Sequence, residues 1–314
     1  MARPGVRTLI FANPYARPES APEIAAFLEH VERLAEGRLH LELVHGWTSP
    51  RERDGERTVL EDLARGAADL AWVGARSVGA ALGIRALEPL HAPLLFPNEE
   101  AVRRFLTIAD VAPLLAPLRE AGLVGLALLP GGMRRPFGLT SPLVGPDDWS
   151  GKIIRSHGSL TAIASFRALG ATPVLRAPGE EGGRDAVGID GMDLHPKAVG
   201  AWGYAGWLTW NVPLWPRIVL VAANARRLEQ LTSSERTVLH EAARLATVET
   251  PQRLPAERSN ELPDSVRIVV ASEDDVSLLR ERLRPVHDQL RSTPEGEQTL
   301  AYAEGLLASL GGTG

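Results

Sequence analysis

Residues 6–44, VRTLIFANPYARPESAPEIAAFLEHVERLAEGRLHLELV, decide the fold class. Val6 to Ala12 reads as a buried strand, and Ser20-Ala21-Pro22-Glu23 supplies the start signals of a helix. Ile24, Phe27, Leu28, Val31 and Leu34 then fall at the i, i+3, i+4, i+7 spacing of one buried helical face, which Gly37 closes. Leu39, Leu41 and Leu43 switch to strict period-two alternation, the mark of a second strand. Strand, helix, strand is the opening unit of an α/β sheet.

Working outward, a second helix is expected from about Pro50 to Arg65, and Gly66 to Gly74 reads as the next strand. The alternation of strands and helices predicts a largely parallel sheet with short crossovers. Helices around Asn98 to Ile108 and Val111 to Ala121 precede a short apolar run, Leu123 to Leu129, after which Gly131-Gly132 begins a turn-rich segment. Beyond it come a strand at Lys152 to Ser156, a helix from Ser159 to Leu169 stopped by Gly170, and a strand near Thr172 to Leu175. Ile218 to Ala222 is a buried strand, and Thr232-Ser233-Ser234-Glu235 is a capping box opening a long helix. Val266 to Val270 leads through Ser272 and Asp275 into two C-terminal helices. The chain therefore divides into a first α/β lobe, residues 1–127 plus 211–250, and a second, residues 128–210, with 251–314 packed against them. Two crossings, near Leu128 and near Trp210, imply a hinge beneath a ligand cleft.

With 314 residues, 44% of them hydrophobic, there is material for a core in each lobe. The net charge of −5 includes no long run of either sign, which gives no footprint for nucleic acid or an anionic membrane. The absence of cysteine excludes thiol catalysis, cysteine-type zinc sites and disulfides. The longest uncharged apolar stretch, Ala121 to Pro130, is ten residues, half of what spans a bilayer. The first residues carry no charged, apolar and small-residue series of an export signal, so either the protein is cytoplasmic or such a signal lies outside this numbering.

At Gly151-Lys152-Ile153-Ile154-Arg155 the sequence resembles the Gly-Leu-Lys-Ile-Arg segment of DctP-type solute-binding proteins of TRAP transporters. The surrounding landmarks keep that family's order: Gly132-Met133-Arg134, the Pro146 to Gly151 run, Leu169-Gly170-Ala171-Thr172-Pro173, and Asp190-Gly191-Met192-Asp193. The resemblance implies a periplasmic-binding-protein-like fold of two α/β lobes with a hinge and a central cleft and no catalysis, and the residues themselves call for no cofactor and no metal. It implies extracytoplasmic capture of a small organic acid by hinge closure, a monomer, and delivery to the membrane subunits of a TRAP transporter, with the export signal absent from this sequence. Carried over by position, Arg155 pairs with the ligand carboxylate, Arg134 is a second cation, Asn13 and Trp72 line the pocket from the first lobe, and Asp193, Trp210 and Asn211 lie near ligand and hinge. Two departures imply a remodelled pocket wall: Leu194 stands where the family commonly has Asn, and Gly182-Gly183 interrupts a helix.

The residues themselves keep rival readings open. An arginine fork matches a carboxylate bidentately and stays charged, yet Arg155 at a strand end also fits a surface residue, and neighbours Arg134 and Arg135 usually include one that is solvated. Trp202, Trp207, Trp210 and Trp215, with Tyr204 among them, fall within 14 residues and form either an aromatic floor or ordinary packing. Packing is the preferred reading for Trp215, and the two readings stand equal for Trp210. Asp185, Asp190, Asp193 and His195 match no metal loop, and turn formation is the plainer role. His45 and His91 read as structural groups. No Gly-x-Ser-x-Gly elbow, His-Glu-x-x-His, Walker loop or dinucleotide fingerprint is present, and adjacent Ser156 and His157 rarely meet in catalytic geometry. Rival functions are a sensory ligand-binding module for a membrane receptor and a hydrolase or lyase on a similar scaffold.

Overall fold

The computed structural model describes residues 6–15, 21–49, 54–176 and 188–311. In chain order the regular elements begin with β1 (Arg7–Ala12), α1 (Ala25–Ala35), β2 (Leu39–Val44), α2 (Gly55–Arg65), β3 (Leu70–Gly74) and α3 (Val78–Leu82). Then follow α4 (Glu99–Ile108), α5 (Ala112–Leu115), β4 (Leu123–Gly138), β5 (Ile153–Ser156), α6 (Leu160–Ala168), β6 (Thr172–Leu175), β7 (Gly191–Leu194) and α7 (Pro196–Trp202). The chain ends with β8 (Gly206–Thr209), β9 (Trp215–Asn224), α8 (Ala225–Glu229), α9 (Ser233–Arg253), β10 (Val266–Val269), α10 (Glu273–Arg291) and α11 (Pro294–Gly311).

Contacts divide the chain into two compact units, residues 1–84, 106–131 and 218–255, and residues 85–105, 132–217 and 256–314. In the first, β1 pairs in parallel with β2 from Arg7 opposite Leu39 to Ala12 opposite Val44, and with β3 on its other side. Helices α1 and α9 cover this sheet, burying Phe11, Phe27, Val31, Trp72, Val221, Leu239 and Ala246 in one core. The largely parallel sheet expected from the alternation is interrupted here. Strand β9 enters antiparallel to β3, Leu70 opposite Ala223 and Gly74 opposite Val219, because it is a long return segment rather than the end of a helical crossover.

In the second unit β7 is the central strand, antiparallel to β4 and parallel to β5, which pairs in turn with β6. Strand β8 pairs antiparallel with the end of β4 and parallel with β10. Trp149, Phe166 and Trp215 are the large side chains of its principal core, where Trp149 and Phe166 stack at 5.7 Å. Residues 85–105, placed by the sequence with the first lobe, pack instead in this unit. Ala92 shares a core with Val286, Leu290 and Leu300, and His287 Nε2 lies 2.8 Å from the Pro93 carbonyl.

The local signals carry over closely. Ser159 caps α6 by accepting from the Ala162 amide, and Thr232–Glu235 and Ser272–Asp275 form reciprocal capping boxes on α9 and α10. The expected helix from Val111 to Ala121 is α5 followed by a 3-10 stretch, Ala116–Ala121, since Pro117 removes one donor and crowds the preceding turn. The expected short run Leu123 to Leu129 is the first half of a 16-residue strand that continues through Gly131-Gly132. The predicted start of the second helix at Pro50 lies outside the described residues.

Candidate functional site

Strand alternation decides which side chains of the second unit can act together. In register, Arg155 on β5 stands opposite Met192 on β7, Phe137 on β4 also stands opposite Met192, and Arg135 stands opposite Leu194. Because successive residues face opposite sides, Arg155, Met192, Leu194, Phe137 and Arg135 share one face, whereas Arg134 and Asp193 belong to the other. Arg134, chosen from sequence as the second cation, is tied to Asp193: its Nη1 donates at 2.8 Å to both the Asp193 carbonyl and Oδ2. Trp215 donates its indole N–H to the same carboxylate oxygen at 3.2 Å. Arg135 is the arginine that shares a face with Arg155.

Arg155 is only 3% exposed, with Nε 3.4 Å from the Arg176 carbonyl. Arg135 donates through Nε to the Trp210 carbonyl at 2.8 Å, and through Nη1 to the Met133 carbonyl at 3.1 Å and to the Glu257 carboxyl. Its guanidinium lies 4.5 Å from the Trp210 ring centroid, within cation–π range. Glu257 is buried beneath Arg135, and burial, reinforced by the neighbouring Glu99 carboxyl, pushes its pKa up to about 8.

Trp215 and Trp207 have separate surroundings, and the Trp202 side chain lies outside those described. Trp215 is core, 5.5 Å from Phe166, and Trp207 lies under Arg267 at 5.6 Å. Asn211 is pinned by main chain, its amide donating to the Ala271 carbonyl and accepting from the Ala271 N–H, each at 2.8 Å.

In the first unit Asn13 is fully buried at the end of β1, where Oδ1 accepts the Tyr15 N–H at 2.9 Å and Nδ2 lies 2.8 Å from His45 Nδ1. Trp72 is wholly buried on β3, its ring 5.5 Å from that of Tyr15. Sequence reasoning missed the group beside it. The buried Glu56 carboxylate accepts from Tyr15 Oη at 2.7 Å, Arg76 Nη2 at 3.1 Å and Ser77 Oγ at 2.5 Å. Burial and Glu56 together raise the pKa of Asp54.

The remaining candidates resolve into structural duties. Asp190 accepts from Thr140 Oγ1 at 3.0 Å and the Ile153 N–H at 2.9 Å, and Asp185 lies outside the described residues, as do Gly182 and Gly183. Ser156 Oγ donates to the carbonyl of His157, not to its ring, so that contact activates no nucleophile. His91 is buried with Nδ1 3.3 Å from the Leu87 carbonyl. Among the described residues no helix is long and apolar enough to cross a membrane. Two arginines inside an otherwise apolar strand were the available signal for buried acid partners, but nothing local to them pointed to Asp193 or Glu257.

Residues 19–180 match the model of the bacterial extracellular solute-binding protein family 7, DctP. The C4-dicarboxylate-binding periplasmic protein DctP of Shewanella loihica is 38% identical over 90 residues, 29% of this chain and 26% of that protein, so the match spans about a quarter of that relative's length. Among solved structures, the ectoine-binding protein of the TeaABC TRAP transporter of Halomonas elongata superposes with a TM-score of 0.81 at 18% identity, over 96% of this chain and 99% of that one. A TRAP periplasmic solute-binding protein of Ralstonia eutropha with bound (S)-2-acetolactate gives 0.77 at 22% identity, again over 96% and 99%.

Proposed function

This chain belongs to the bacterial extracellular solute-binding protein family 7, and from that premise we propose that it captures a small organic acid outside the cytoplasm for delivery to the membrane subunits of a TRAP transporter. The observation that carries the ligand class is the shared strand face of Arg155 and Arg135, two buried guanidinium groups on either side of β7. A carboxylate is the anion whose paired oxygens match such forks. One charge-assisted bond contributes about 1.5 to 3 kcal/mol, against about 8 kcal/mol for micromolar binding, so the body of the ligand contributes much of the affinity. Leu194 on the same face supplies an apolar neighbour where the family commonly has Asn. The acid is a monocarboxylate or dicarboxylate with a compact apolar or aromatic portion. The relatives' named ligands, a C4-dicarboxylate in one and 2-acetolactate in another, support the class without identifying the member. The protein returns its ligand chemically unchanged and works as a monomer, without nucleic acid or cofactor.

A thermal-shift screen against small organic acids, with sugars, amino acids and neutral aromatics as controls, tests this reading. A ligand at 100 times its dissociation constant stabilises the folded chain by about 2.7 kcal/mol, a shift of several degrees. Stabilisation by acids, lost in Arg155→Ala, is the expected result. Stabilisation only by neutral compounds overturns the carboxylate assignment.

A further inference from the structure

Glu99 at the start of α4 and Glu257 beyond the end of α9 are 158 residues apart in sequence, yet the Glu257 N–H donates to Glu99 Oε2 at 3.2 Å. Their carboxyl groups lie within hydrogen-bonding reach of each other, a contact that two acceptors can make only if one carries a proton. The partners of the remaining oxygens fit that arrangement. Glu99 Oε2 also faces Arg103 Nη2 at 3.4 Å, and one oxygen of Glu257 takes the Arg135 N–H. Oε1 of each acid is buried and has no other hydrogen-bond partner among the described residues. Space for the pair comes from Gly132, where an added Cβ would stand 2.1 Å from Glu257 Oε1 and 3.4 Å from His195 Cβ. Among the described residues, the charged and titratable groups facing the pair or the Gly132 position are Arg135 on β4, Arg103 on α4 and His195 after β7.

We propose that Glu99 and Glu257 hold one proton between them at neutral pH, and that this proton makes Glu257 a positioning residue that leaves Arg135 a net cation over Trp210. The charge balance is short. Arg103 and Glu99 cancel, a protonated Glu257 still accepts from Arg135 through its carbonyl oxygen, and one positive charge remains on Arg135. When the proton leaves, Glu257 becomes a carboxylate and Arg135 is neutralised from below. Burial first, and then the neighbouring Glu99 carboxyl, hold the proton on. The pKa of about 8 for Glu257 accords with the geometry. The inference bears on the proposed function only through Arg135: an anion facing that guanidinium meets a cation at neutral pH and a compensated pair in alkaline solution.

The test needs no ligand, so its outcome is separate from whether any organic acid binds. In protein labelled with carbon-13 at the glutamate carboxyls, one glutamate signal is expected to titrate near pH 8, far above the ordinary value near 4.3. That signal disappears in Glu257→Gln, an isosteric change that preserves the fold, and in Glu99→Gln its midpoint falls. The intrinsic tryptophan fluorescence is expected to change with the same midpoint, and the change is absent from Glu257→Gln and from Trp210→Phe. If every glutamate titrates below about pH 6, there is no shared proton. If a glutamate titrates near pH 8 but the fluorescence does not follow it, the coupling to Arg135 and Trp210 is overturned.

Discussion

Arg134 and Asp193 are joined twice, the arginine Nη1 donating at 2.8 Å to both the main-chain carbonyl and the Oδ2 of the aspartate. Their side chains are 6% and 2% exposed, and Trp215 adds a third hydrogen bond. Removing one partner of such a pair strands the other charge, so Asp193→Ala is expected to cost about 3 to 5 kcal/mol. The loss appears as a lower urea midpoint at unchanged slope. Replacing Arg134 and Asp193 together by Met and Leu recovers most of it. A double variant as unstable as the single one would show that the stranded charge is not the cause.

Gly132→Ala places a methyl group against Glu257, since the added carbon would stand 2.1 Å from Oε1. The expected cost is about 1 to 3 kcal/mol, the usual range for overpacking. Shortening Glu257 to Asp in the same chain restores part of the loss, a non-additivity that a double-mutant cycle in thermal unfolding reads directly. Strict additivity would place the strain elsewhere.

Asn211→Ala removes both hydrogen bonds to Ala271 and is expected to lower stability by about 1 to 3 kcal/mol. Because that amide is already engaged, affinity for an organic acid is expected to change less than about twofold, or ~0.4 kcal/mol. Paired calorimetric binding and unfolding measurements separate the two effects. A large loss of affinity at unchanged stability would return Asn211 to the ligand site.

Stability is expected to fall as pH rises from about 5 to about 8, with Glu257 the largest contributor. Burial raises the pKa of Glu257, Glu88 and Asp54. The folded state thus keeps protons that the unfolded chain releases, and the stability present below the unfolded values is lost as pH passes through the raised folded ones. Hydrogen bonds from Arg244, Arg253 and Ser272 lower the pKa values of Glu241, Glu249 and Asp275, so those acids act at the other end, losing their contribution only as pH falls in the acid range. A melting series from pH 5 to 9.5 checks the slope, which flattens in Glu257→Gln. A rising curve over that window would contradict it.

What the sequence disclosed follows the range of each interaction. Thr232 with Glu235 and Ser272 with Asp275 are three residues apart, and both capping boxes stand where their letters indicate. The face of α1 carrying Phe27 and Val31 is set by helical period alone. From sequence alone β4 ends at Leu129, because Pro130-Gly131-Gly132 has the composition of a turn, yet a glycine also serves where a buried acid needs the room of a missing side chain. The four-residue strands β7 and β8 were too short to show a period. Choosing between Arg134 and Arg135 required the register with β7, which depends on residues 59 positions away. Likewise, neither Glu99 nor Glu257 carries any local mark of its partner.

Because β3 pairs with β9, Leu70 opposite Ala223, the first sheet cannot be completed when its opening strands leave the ribosome. The second unit's middle segment, 132–217, must be synthesised before β9 and α9 arrive to cover β3 and α1, and that unit in turn awaits residues 256–314. Neither unit can be finished first and set aside, as successive domains of a nascent chain usually are. Folding therefore waits on distant contacts until synthesis is nearly over. The consequence of this interleaving is that the apolar faces of β1, β3 and α1 stay uncovered until β9 and α9 have been made.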